Sequence, residues 1–164
     1  QSCFKNQPVP HLLKELILFS ESFSGLFSGS FELQPDRFEL CKAYFQGQKE
    51  GVEQVVPFGM DSAGSLFAFW LYDKALTLEN APVVFLSSEG EGSTVLAKDF
   101  KDFLILLAAN RDFVPEEGSF YCFEEQNRAN NSRYRVWLKT HLGLDAAAEP
   151  EEFLKKAHHC FVMH

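Results

Sequence analysis

The string Met60-Asp61-Ser62-Ala63-Gly64 sets a serine between an acid and a glycine, and it is the sharpest enzyme-like signal in the chain. A G-x-S-x-G elbow uses its glycines to lift a serine above a sheet on a strained strand-to-helix turn. Met60 stands where the first glycine is needed, two residues before Ser62, and a strand pattern follows Gly64 instead of a helical one. No HGGG-type oxyanion segment accompanies it. The expectation is therefore a hairpin turn between two strands. A hydrolase using Ser62 is the remote alternative; it requires a histidine and an acid beside that serine and reaction with a fluorophosphonate probe.

Other reactive side chains have structural duties in prospect. His158 and His159 are adjacent, so they point to different helix faces and do not form an i, i+4 metal pair. With His164 they read as a polar C-terminus. Cys3, Cys41, Cys122 and Cys160 form no C-x-x-C and fit no zinc spacing, which predicts reduced, mostly buried thiols in a cytoplasmic protein. Cys160-Phe161-Val162-Met163 has the form of a prenylation box, but His164 follows it. Asn130-Asn131-Ser132 matches a glycosylation sequon but falls in a helical stretch and is read as chance. The carboxylate pairs Glu89/Glu91, Asp99/Asp102, Glu116/Glu117 and Glu151/Glu152 lie mostly in turns and helix starts. Those are solvated contexts, where a general acid needs a desolvated one. There is no Walker loop and no G-x-G-x-x-G, so no cofactor and no metal are expected.

The elements that would carry these groups follow from the apolar spacing. Val9, Leu12, Leu13, Leu16, Ile17, Phe19 and Phe23 fit a helix over 9–23, started by Pro8 and Pro10 and broken by Gly25 and Gly29. Phe31 to Leu33 is a short strand; residues 36–46 fit a helix or a strand pair. Strands are expected at Val52 to Phe58, Leu66 to Tyr72, Pro82 to Ser88 and Ser93 to Ala97. Leu66 to Tyr72 is apolar on both faces and so should be covered on both. Asp99 should cap a helix that ends near Asn110. The last third is expected to be helical: residues 123–142 with Trp137, Leu138, His141 and Leu142 on one face and Gly143 at C′, then a helix from Glu149-Pro150 with Phe153, Leu154, Ala157 and Phe161 inward. Helix, strands with tight turns, then helices is an α+β order. A chain of 164 residues with no linker or repeat is read as one domain, residues 1–164, with 111–164 a helical C-terminal extension. Its eighteen phenylalanines point to a large core.

Charge narrows the function. The chain carries −8, and residues 61–120 hold ten acidic against four basic residues. That balance argues against nucleic acid as a ligand, since phosphate contacts need clustered Lys and Arg. No apolar run approaches a membrane span, and no basic segment followed by an apolar run opens the chain, so neither a membrane nor a secretory signal is expected; Gln1 in place of Met leaves room for a leader upstream. Asp61, Asp73, Glu79, Glu89 and Glu91 fall in turns, where partners dock, and are the candidate partner-binding residues. A negative surface attracts basic proteins and speeds their encounter.

The run from Val55 to Ala109 resembles the SUKH superfamily, which includes the yeast cell-wall-assembly regulators and many bacterial immunity proteins. The resemblance rests on the order of Pro57-Phe58, the turn Asp61 to Gly64, the apolar strand Leu66 to Tyr72, the strand Pro82 to Ser88, the acidic glycine hairpin Glu89 to Gly92, and the helix start Asp99-Phe100-Lys101-Asp102-Phe103-Leu104. It implies an α+β domain with a mixed, mostly antiparallel sheet and flanking helices. It also implies a non-enzymatic antidote that binds a toxin, often a nuclease, and blocks its active site. An acidic face would then stand where a basic groove expects phosphates. A scaffold or regulatory adaptor of the same fold is the alternative that the yeast branch suggests. No catalytic residue is carried over.

Overall fold

The computed structural model describes residues 7–34, 54–89, 93–122, 127–146 and 149–162. Glu91, His164, Cys3, Cys41 and the undecided stretch 36–46 lie outside them. The chain is an α+β protein. In order, its elements are α1 (His11–Glu21), β1 (Glu32–Leu33), β2 (Val55–Met60), β3 (Leu66–Trp70), β4 (Val83–Leu86), β5 (Thr94–Ala97), α2 (Phe100–Leu107), β6 (Arg111–Val114), β7 (Ser119–Cys122), α3 (Arg128–Leu142) and α4 (Pro150–Val162).

The first five strands form one sheet in the order β1-β2-β3-β4-β5, every pairing antiparallel. Alternation along the strands divides the side chains between two buried faces. Phe58, Phe67, Phe69 and Phe85 face α1 and α2, and Val55, Leu66, Ala68, Val84 and Leu86 form a smaller apolar cluster on the other face. β3 is thus buried on both sides, as its unbroken apolar run predicted. The phenylalanine surplus is spent on the first face. Phe58 lies 4.8 Å, centroid to centroid, from Phe69 and 5.4 Å from both Phe100 and Phe103. Such ring pairs contribute about 0.5–1.5 kcal/mol beyond area burial. Gly59 is required beside β1, because a Cβ there would stand 2.4 Å from the Phe31 ring.

Helix α2 starts where its cap predicts. Asp99 accepts a hydrogen bond from the Asp102 amide and begins α2. The last carbonyls of α2 would be orphans. Instead Tyr134 donates to Leu104, Ser28 and Asn131 donate to Leu107, and Arg135 donates to Ala108. Gly143, at φ +67°, closes α3. α4 lies against the edge strand β5, with Leu154 and Ala157 buried and Phe161 packed on Trp70 and Tyr72. A helix over an edge strand shields backbone groups that would otherwise pair with another chain.

One expectation needs correction. Residues 111–164 were expected to be helical, but β6 and β7 form a hairpin through Pro115–Gly118. The two strands pair antiparallel with Phe113 opposite Phe120. Pro115 stops the first strand, and Gly118 takes the φ of +60° that the turn demands. Helix α3 starts at Arg128, later than the expected 123–142 span.

Candidate functional site

The strand register divides the candidate carboxylates between opposite ends of the sheet. Met60 pairs with Leu66, Leu66 with Leu86, and Phe85 with Thr94. The turn carrying Asp61 and the segment carrying Glu89 therefore emerge at the same end, and the Ser88 amide donates to Ser65 Oγ at 3.0 Å. Asp73 and Glu79 lie in the β3–β4 connection, at the opposite end. The four described candidates, Asp61, Asp73, Glu79 and Glu89, do not form one face.

Asp73 and Glu79 do structural work. Asp73 Oδ1 accepts from the Ala75 amide at 2.9 Å and shapes its own turn. Glu79 Oε1 accepts from the His11 amide at 2.6 Å. Pro10 precedes α1 without a side-chain cap, so Glu79 supplies the acceptor from elsewhere in the chain.

The turn at Asp61 is a hairpin with β3 after it, as predicted. Asp61 Oδ1 accepts from the amides of Ala63 and Ser65 at 3.0 and 2.9 Å, and Gly64 takes φ +87°. Ser62 is exposed, and its amide donates to Ser30 Oγ at 3.2 Å. The histidines His11, His141 and His158 contact Glu15, Trp137 and Thr94.

Three acids join Asp61 at this end. Glu32 is exposed on β1 opposite Met60, Glu89 is exposed past β4, and Asp112 on β6 is half-buried. Burial pushes the Asp61 carboxyl above its ordinary value and the charge of Asp112 adds to the rise, while the amides of Ser65 and Ala63 oppose it. Asp112 in turn accepts from the Ser30 amide at 2.7 Å and the Ser30 hydroxyl at 3.1 Å.

A polar knot fastens this end to the body. Gly29 N–H donates to Asn110 Oδ1 at 2.8 Å, and Asn127 Nδ2 donates to Gly29 O at 2.6 Å. Asn131 donates to Phe27 O, and Asn130, the sequon residue, donates to Ser24 O and Leu26 O. Asn110 and Asn127 both adopt positive φ, at 56° and 59°. A Cβ on Gly29 would meet Asp112 Oδ1 at 2.4 Å, so only glycine lets the loop approach.

Elsewhere, Cys160 is exposed on α4. Among the described residues no group of three or more His, Cys, Asp or Glu side chains could hold a metal ion, and no helix is long and apolar enough to cross a membrane. A cavity of about 260 Å³ on the second sheet face is walled by Val55, Trp70, Val84, Leu86 and Val95.

The composition of the acidic end was half legible. Asp61 and Glu89 stood out as turn residues. Ser30, Glu32 and Asp112 did not, because Asp112 fell within a stretch read as helical and Ser30 reaches it only across 82 positions. Compared with known proteins, the chain matches no family model, no curated protein and no solved structure.

Proposed function

We propose that this chain is a non-enzymatic protein-binding domain, an immunity protein that neutralises a basic, nuclease-type toxin in the cytoplasm. The resemblance to the SUKH superfamily suggests the role. The observation that carries it is the group of acids at the turn end of the sheet: Asp61 is half-buried there, and burial first, then the charge of Asp112, holds its carboxyl above its ordinary value. Burial and the charge of Asp112 make the Asp61 carboxyl harder to ionise, and the hydrogen bonds of the two acids come from backbone amides and a serine hydroxyl. Such an arrangement costs stability in the free protein and is relieved by a cation from outside. A lysine or arginine from a toxin's phosphate-binding groove supplies that cation.

The test is co-purification with the product of a neighbouring toxin gene, followed by titration calorimetry of wild type and a double charge reversal, Asp61→Lys with Glu89→Lys. The expected result is at least a tenfold rise in Kd and a flatter salt dependence. An unchanged Kd would sink the electrostatic reading. Reversal at Asp73, at the far end of the sheet, should leave Kd within about twofold, the usual scale for a charge remote from the contact.

A further inference from the structure

We propose that Ser30 is the positioning residue of the acidic end: its hydroxyl ties the Asp61 turn to Asp112 and makes two carboxylates from distant parts of the chain into one binding element. This rests on the docking role proposed above, but its test does not.

The geometry is specific. Ser30 Oγ donates to Asp112 Oδ1 at 3.1 Å and accepts from the Ser62 amide at 3.2 Å. A hydroxyl has one proton to give and lone pairs to receive, so one side chain serves both contacts at once. The Ser30 amide separately holds Asp112 at 2.7 Å. Removing the hydroxyl therefore leaves Asp112 anchored and releases only the turn. Nothing else described bonds the Ser62 amide across to the loop before β1. The loop itself is immobilised independently: Ser28 is tied to α2, Gly29 to Asn110 and Asn127, and both Ser28 and Gly29 are buried. Ser30 is thus a fixed post, and the hairpin turn is the part that would move without it. A rigid pair of carboxylates spares a partner the cost of ordering them on binding.

Two measurements on the free protein test this, in wild type, Ser30→Ala and Ser30→Thr. The first is amide hydrogen exchange at Ser62. The second is the titration of the Asp61 carboxyl followed by NMR. In Ser30→Ala, exchange at Ser62 should quicken by about fivefold, the scale of one lost hydrogen bond. The Asp61 titration should move toward the ordinary carboxylate value as the turn loosens, relieving its burial first and then its proximity to Asp112. Ser30→Thr keeps a hydroxyl and should restore both. Far-UV circular dichroism should stay that of wild type in all three. Unchanged exchange at Ser62, an unmoved Asp61 titration in Ser30→Ala, or failure of threonine to rescue would overturn the proposal. None of these readouts involves a partner, so their failure leaves the docking role standing, and an unchanged Kd on charge reversal leaves the Ser30 link standing. A Ser30→Ala chain that fails to fold would also overturn it, since the loop is argued to hold without this hydroxyl.

Discussion

Asp61 is asked to do two things that conflict. Its carboxylate fastens the hairpin turn through two amides, yet burial and Asp112 make its charge unfavourable. Asparagine keeps the acceptor and loses the charge. Asp61→Asn should therefore be as stable as wild type or more so at pH 7, whereas Asp61→Ala, which loses the acceptor, should be destabilised by about 1 kcal/mol. The pH dependence has a definite sign. Because the folded pKa lies above the ordinary 3.8, the folded state takes up this proton first. The charge penalty is full near neutrality and fades as pH falls through the folded value. Urea denaturation should show the advantage of Asp61→Asn over wild type shrinking as pH is lowered toward 4. A constant gap would show that charge is not the cause. Asp102 shifts the same way, by burial first and then by the charge of Asp99, so it adds to the background slope shared by both proteins.

Helix α2 owes its two ends to different parts of the chain. Its start is local: Asp99 and Asp102 are three residues apart and the cap was visible in the sequence. Its finish is not. The carbonyls of Leu104 and Leu107 take donors from Tyr134 and Asn131, both buried on α3. Asn131→Ala removes donors to Phe27 O and Leu107 O in a buried site and should cost about 2 kcal/mol, read as a lower urea midpoint with an unchanged slope. Ser132→Ala, one residue along on the exposed side of the same helix, should stay within about 0.5 kcal/mol. The hairpin β6–β7 carries a comparable lesson. Its strands are four residues each, too short for either period to show, so the pairing of Phe113 with Phe120 and the packing of Phe113 on Phe85 select the strand.

The molecule as a whole is a meander closed at one edge by α4. β5 would otherwise expose its backbone, and the helix covers it with Leu154 and Ala157 and with a 2.7 Å contact between Thr94 Oγ1 and His158 Nε2. Removing residues 149–164 should lower the thermal midpoint and make the protein self-associate, detectable as a larger species by size-exclusion chromatography with light scattering. A truncated chain that kept the oligomeric state of the full chain would show that the edge needs no cover. Charge is uneven on the same scale: Glu32, Asp61, Glu89 and Asp112 gather at one end, while Asp73, Lys74, Lys98, Asp99 and Lys101 mix signs around the other. Under the docking role proposed above, encounters with a basic partner should therefore be steered to the turn end.

Residues near one another along the chain sufficed for the α+β order, the caps at Asp99 and Gly143, the two-sided burial of β3 and the hairpin at Asp61–Ser65, because periodicity and turn chemistry act over a few positions. Which carboxylates share an end, which one caps α1 and which serine holds the turn required the folded chain. Those relations span 68 positions from His11 to Glu79, 82 from Ser30 to Asp112 and 98 from Gly29 to Asn127. They depend on which strand lies beside which and where each loop returns, and no local pattern of residues encodes that.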